Sequence, residues 1–341
     1  MQSTLINDLM LTRRRALTGL GMLTTSATAI GGSALAAKPT LSAKTRTGPL
    51  TLDYQDPQDN LYAFGKIWAG FAEPVYGAYH GIMYARIPGK RHMPLFGYVG
   101  TGVLQAKFNE DGNLHLRGKE TGFFTDLAFT KVLDAWQNPF TGETVKPFDF
   151  FNTIGGILTS EMPRYDFGTK DDEPTLMNEG SHIEKDGTIP FILPFEFYGD
   201  DALLAWDYAH AYTNPVTPEK WPKASTGGKI SPSEHFTFRV SKAELENRDI
   251  PSARSMTGFS RVSEWWPWMM MGGNEYQNGT LYGRMFSHKG LSGYQDIPPY
   301  LLAHIEKHHP DSLQVPDQWL NKRPMGTWEK YAASVPPEVS T

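Results

Sequence analysis

The chain contains no cysteine. That excludes disulfides, thiolate nucleophiles, cysteine-type zinc sites and iron–sulfur clusters, so stability must come from the packed core. An excess of positive charge is also missing. Lys plus Arg number 32 against 37 for Asp plus Glu, a formal net charge of −5. Binding a phosphate backbone needs a basic surface, so nucleic acid is not an expected partner. No strand leads into G-x-G-x-x-G and a helix, which removes the usual nicotinamide and flavin folds. No G-x-S-x-G elbow occurs, so hydrolysis of the usual serine type loses support.

What is present begins with the first forty residues. Thr12-Arg13-Arg14-Arg15-Ala16-Leu17 leads into a run that ends in Ala34-Leu35-Ala36. A basic start, an apolar stretch from Ala16 to about Ile30 and a small-residue A-x-A site make a cleavable signal peptide. The apolar stretch is diluted by Gly19 and Gly21 and followed by Gly31 and Gly32. Weak hydrophobicity behind paired arginines is the twin-arginine pattern. The run falls short of the roughly 20 strongly apolar residues that span a bilayer, so no stable membrane insertion is expected once it is removed. The expected partner at this end is the twin-arginine export machinery, and the expected location is the periplasm, with cleavage near Ala36. Loss of residues 1–36 takes three arginines and Asp8 with it, moving the formal charge from −5 to −7.

Residues 37–48 are polar and aperiodic and read as a linker. The rest, 49–341, reads as one β-rich domain. Aromatics make up 13% of the chain, with 33 Gly and 25 Pro, which suits strands joined by tight turns. Candidate strands are Val75–Arg86, Met93–Val103, Gln105–Phe108, Leu114–Arg117, Gly122–Ala128, Ile189–Tyr198, His235–Val240, Met256–Val262 and Leu281–Ser287. Pro88-Gly89 and Asp111-Gly112 punctuate them as in an antiparallel meander. Helices are expected after an Asp59 N-cap, through Leu61, Phe64 and Ile67, and over Pro299–His308. The segment Pro215–Ser233, rich in Pro, Lys and Gly, is long enough for a lid or an exposed insertion. The expected fold is mainly β: an antiparallel calycin- or lipocalin-like barrel, closed or nearly closed, with a few peripheral helices.

The most unusual internal segment is Arg261 to Gly273, which holds Trp265, Trp266, Trp268, Met269, Met270 and Met271. Flat aromatic faces and polarisable thioethers suit the wall of a pocket for an apolar or aromatic ligand, and equally suit a plug at the end of a barrel. Asp134 to Thr144 reads first as two successive turns, with Trp136 and Asn138 as candidate pocket residues. His304 and His308 stand four apart on a predicted helix, a chelating spacing, but Glu306 is misplaced for either zinc-protease motif, which favours a solvated helix end. Alternation within Val75–Arg86 puts His80 on the face of Ile82 and Tyr84, opposite Tyr79. An inward His80 beside Tyr84 would make an acid/base pair; a satisfied core histidine reads as well. Among the carboxylates Asp53, Asp56, Glu143, Glu196, Glu234 and Glu264, spacing singles out no pair.

At these clusters the chain resembles the bacterial and fungal family grouped as domain of unknown function 1838. The resemblance rests on Leu52-Asp53, Asp56 to Leu61, Val75-Tyr76, Gly81 to Tyr84, Pro88-Gly89, Leu133 to Thr144, Glu234 to Phe238, Arg261 to Gly272 and Thr327-Trp328. Members often look like exported proteins with signals of this kind. The resemblance implies no activity. Trp266 replaces an aliphatic residue of the family pattern and enlarges the aromatic wall. His235 stands where the family usually shows Phe or Tyr, so the resemblance gives it no family-wide catalytic role.

The functional expectation is an exported, cofactor-independent enzyme that moves protons on a small apolar or aromatic molecule, as a lyase, isomerase or hydratase. His80 and Tyr84 are the acid/base candidates, and Arg261 the group that stabilises developing negative charge. Trp136, Asn138, Glu234, Trp265, Trp268 and Met271 are the candidate ligand-binding residues. Two alternatives stand beside it: a small-molecule carrier without chemistry, and a metalloenzyme in which several of His80, His235, His288 and an acid converge.

Overall fold

The structure, a computed structural model, describes residues 51–162, 164–165, 175–176, 189–209, 211–321 and 325–339. The expected signal peptide and linker lie outside these residues.

The first helix, α1, spans Pro57–Trp68. Its cap is Asp56, whose carboxylate accepts the backbone N–H groups of Gln58 and Asp59 at 2.8 and 3.0 Å. Pro57 at the first helical position presets φ and needs no donor, which draws the start three residues ahead of the expected Asp59. Asp59 lies inside the first turn and accepts the Asp53 N–H at 2.8 Å.

Nine strands build one sheet: β1 Val75–Arg86, β2 Met93–Phe108, β3 Leu114–Thr125, β4 Phe150–Leu158, β5 Phe195–Tyr198, β6 Asp201–Ala209, β7 Ser233–Ser241, β8 Ser255–Ser263 and β9 Thr280–Leu291. Their order is β4-β3-β2-β1-β9-β8-β7-β6-β5, and every ladder is antiparallel. Two meanders, β1 to β4 and β5 to β9, therefore meet along the β1–β9 ladder. The pieces expected at Met93–Val103 and Gln105–Phe108 are one strand, and those at Leu114–Arg117 and Gly122–Ala128 another, because pairing runs unbroken from Gly97–Thr125 to Phe108–Leu114. Of the expected strand Ile189–Tyr198 only Phe195–Tyr198 pairs with β6. Pro190 and Pro194 lack the N–H that a ladder needs.

The sheet is rolled. Leu158 of β4 and Ala202 and Leu204 of β6, near its two ends, share one hydrophobic cluster with Leu61, Phe64 and Ile67 of α1. The helix thus lies across one end of the concave face. The other end is filled by a second cluster in which Met83, Phe96 and Phe124 from the strands meet Trp136, Trp266 and Trp268. The segment 215–233 is no exposed insertion: Val216, Trp221, Ala224 and Ile230 are buried in this second cluster, and the Trp221 indole N–H donates to the Pro336 carbonyl at 3.2 Å.

Three further helices flank the sheet: α2 Lys242–Glu246, α3 Pro299–His308 and α4 Thr327–Ser334. Leu301 and Ile305 of α3 pack on Val99 and Phe123. These two side chains alternate with the concave residues of β2 and β3, so α3 covers the outer face. Among the described residues, no helix is long and apolar enough to cross a membrane.

Candidate functional site

Strand alternation decides which side chains enter the interior. On β1, Tyr79, Gly81, Met83 and Ala85 point to the concave side, while His80 is exposed on the outer face. The expected inward pair is thereby corrected. His80 packs edge-on to Phe129 at 6.1 Å, and Tyr84 packs against Tyr282 at 6.2 Å, both outside. The inward tyrosine is Tyr79.

Along β3 the concave residues are Leu114, Leu116, Gly118, Glu120, Gly122 and Phe124, so a single carboxylate sits on a face that is otherwise apolar or bare. Opposite it on β4 stands Asn152. The side chains of Asn152 and Tyr79 favour the charged form of the Glu120 carboxyl. The Tyr79 hydroxyl also lies 3.0 Å from the Thr121 carbonyl and 3.4 Å from the Tyr98 hydroxyl. Room for both phenols comes from Gly122: a Cβ there would stand 2.3 Å from the Tyr98 hydroxyl and 2.6 Å from that of Tyr79. From the facing wall, Arg261 of β8 and Glu234 of β7, cross-strand partners, form an ion pair at 2.8 Å with little exposure. The Arg261 guanidinium lies over the Trp328 ring, 5.5 Å from its centroid.

Burial is the main cause that raises the Glu120 carboxyl to about 7, with repulsion from Glu234 adding to it; the Asn152 and Tyr79 side chains and Arg261 pull the other way. Burial also raises both phenols, helped at Tyr98 by the Glu120 charge. Near neutral pH, then, one carboxyl is poised to give or take a proton while a second is held with its arginine. A carboxyl raised towards neutrality thus shares this interior with an arginine whose charge acts on it.

Of the residues expected from sequence, Arg261 and Glu234 belong to this cluster. His80 and Tyr84 lie outside, and Trp136, Asn138, Trp265, Trp268 and Met271 form the plug beside it. Trp265 is 1% exposed and its indole donates to the Tyr276 carbonyl at 3.0 Å. Asn138 is fully buried and donates through Nδ2 to the Met269 carbonyl at 2.8 Å and to the Met271 sulfur at 3.2 Å, tying the Asp134–Thr144 turns to the aromatic loop. Its Oδ1 accepts the Phe140 N–H at 2.9 Å. Trp136 and Trp268 pack edge to face at 5.6 Å. Trp268 also borders open space, a groove of about 560 Å³ that it lines with Met270, Tyr331 and Lys223. Met270 is a left-handed non-glycine residue, at φ 53.

Sequence reading missed Tyr79, Tyr98, Glu120 and Asn152. The signal was available in β3, where Glu120 is spaced by two from Gly118 and Gly122 on the face of Leu116 and Phe124. Of the histidines expected as metal ligands, His235 pairs with Asp207 at 3.3 Å and is half exposed, and His288 is exposed. Neither approaches His80 as a ligand set among the described residues.

Fold and site together define a mainly β protein, one rolled antiparallel sheet enclosing an ionisable cluster between two apolar plugs. The chain belongs to the family described as "Protein of unknown function (DUF1838)", which it matches over residues 72–335. No curated protein matches it. Among solved structures, a chain described as "Asymmetric conductivity of engineered proteins" is similar at 12% identity and a TM-score of 0.16, over 64% of this chain and 99% of that one. A chain from the complex of Pseudomonas aeruginosa MucA/MucB is similar at 10% identity and a TM-score of 0.11, over 77% and 98%. Likeness at that level carries no argument about fold or function.

Proposed function

We propose that the protein is an enzyme that moves a proton on a small, largely apolar or aromatic molecule, as a lyase, isomerase or hydratase. The observation that carries this reading is the Glu120 carboxyl, raised to about 7, on the same interior as the Arg261 guanidinium. A general acid/base works best when its pKa lies near the working pH, and a fixed cation lowers the energy of an enolate-like anion as it forms. Glu120 is the acid/base, Tyr79 and Asn152 hold its carboxyl, and Arg261, itself fixed by Glu234, faces the developing charge. Phe236 and Phe259, whose rings lie 4.5 Å apart on the concave faces of β7 and β8, offer an apolar wall. Carriage without chemistry would call for an all-apolar lining, and convergent polar groups favour catalysis over it. No step of this scheme uses a cofactor.

The test is proton exchange in D2O with phenylacetone and phenylpyruvate as probes, followed by loss of the benzylic proton signal. The protein is expected to exchange them at neutral pH, and Glu120→Gln to lower the rate by about 100-fold or more. Equal exchange by both proteins, or none by either, removes the reading.

We propose further that the molecule reaches the periplasm folded through the twin-arginine machinery, and that its rolled sheet is a nearly closed barrel of the calycin kind. Nucleic acid and stable membrane insertion have no part in the reading.

A further inference from the structure

We infer that Asp149, His304 and His309 form a binding site for one divalent first-row transition-metal cation on the outer face of the sheet. One ring nitrogen of each histidine and one oxygen of Asp149 all lie within 4.8 Å of one another. The His309 Nε2 to Asp149 Oδ2 distance is 3.3 Å, long for a charge-assisted hydrogen bond. It matches the edge of a tetrahedron, about 3.4 Å, for metal bonds of about 2.0 to 2.1 Å. His304 Nε2 is buried and has no hydrogen-bond partner among the described residues. Leaving a buried ring nitrogen unpaired is costly, and a cation would satisfy it.

The donors are held by packing and by backbone contacts. His309 follows the last turn of α3, its N–H bonded to the Ile305 carbonyl at 2.7 Å, and Pro310 restricts it from the other side. Its ring packs on Phe151 at 4.6 Å and on Phe123 at 5.6 Å, and the His304 ring packs on Phe123 at 4.9 Å. Asp149 immediately precedes β4. Two imidazoles and one carboxylate suit zinc and its first-row neighbours, whereas calcium and magnesium prefer all-oxygen sets. Three protein donors leave a coordination position open to water or an added ligand. His308, exposed at the helix end, is the solvated residue that the i, i+4 spacing suggests; its partner His304 turns inward instead.

The test titrates the chelator-stripped full chain with zinc chloride by calorimetry and records histidine ring signals by NMR. One ion per chain is expected, with the signals of His304 and His309 shifted most. Asp149→Asn and His304→Gln are expected to bind at least about tenfold more weakly, since even second-layer changes cost that much, and His308→Gln to bind as the natural protein does. Overturning results are no uptake by the natural protein, equal uptake by all variants, loss only in His308→Gln, or ring shifts confined to other histidines. The NMR result on the natural protein stands even if a variant fails to fold.

Discussion

Glu120 carries a carboxyl whose ionisation the fold disfavours. Its carboxyl is raised from 4.5 to about 7 in the folded protein. A raised pKa means that the folded state favours the protonated form. Its contribution to stability is fully present below pH 4.5 and is lost as pH rises through about 7. The difference corresponds to about 3 kcal/mol in order of magnitude. Glu120→Gln, which cannot ionise, is therefore expected to melt above the natural protein at pH 8, with the gain shrinking towards pH 4.5; thermal unfolding followed across that range checks it. A gain that does not depend on pH would mean that Glu120 is not the titrating group. Two buried lysines show that burial alone does not mark a site. Lys289, lowered to about 7 by burial, donates to the carbonyls of Lys66 and Ala69 at 2.7 and 3.0 Å and to the Ser252 hydroxyl at 2.7 Å. Lys66 donates likewise to the carbonyls of Glu244, Leu245 and Asn247. Every proton of these ammonium groups has a nearby acceptor that belongs to the fold, and they cap the last turns of α1 and α2. Glu120 instead faces side chains of other strands, Tyr79, Asn152, Glu234 and Arg261, which act on its charge.

Among the elements, the strands with punctuated ends were the most legible. Val75–Arg86 and the helix Pro299–His308 stand where composition and turn residues put them. Phe150–Leu158 and Asp201–Ala209 were not foreseen, since neither Phe-Phe-Asn-Thr-Ile-Gly-Gly nor Ala-Leu-Leu-Ala-Trp alternates cleanly between apolar and polar. These two strands lie at or next to the ends of the sheet, where closure is decided. Eight antiparallel ladders join nine strands, so β4 and β5 run in the same direction and no hairpin can join them. The chain between them leaves and returns through a short bridge, with the Met162 N–H bonded to the Ile189 carbonyl at 2.7 Å and the Phe191 N–H to the Ser160 carbonyl at 2.9 Å. Leu158, Met162, Ile189, Phe191 and Leu193 fill the gap against α1 with side chains. In the proposed barrel, packing at this seam would take the place of a ladder between β4 and β5. Amide exchange tests it: the β4 N–H groups that face away from β3 are expected to exchange much faster than those bonded to it. Equal protection on both edges would instead mean a complete ladder.

For the whole molecule, absence of cysteine and the arginine-led first segment bear on where it works. A chain without disulfides gains nothing from oxidation, so under the proposed export its core could form before the membrane is crossed. Arg13→Lys with Arg14→Lys is expected to leave the uncleaved precursor in the cytoplasm, read as precursor and mature bands after fractionation; normal cleavage would point to the general secretory route. The sequence by itself determined the family, the β-rich class, the turns that separate the strands and the residue types available for chemistry, because these depend on local propensity and spacing. Only the tertiary structure decided which residues meet. Alternation alone places Tyr79 opposite His80, yet it cannot say which of the two faces inward, since that depends on how the sheet rolls. The same roll brings Arg261 and Glu234 opposite Glu120 across an interior that neighbouring positions in the sequence never span. It turned the tryptophan-rich run, the most conspicuous feature in one dimension, into the plug beside the cluster, and left the carboxyl that burial raises towards neutrality to one glutamate between two glycines of the same face.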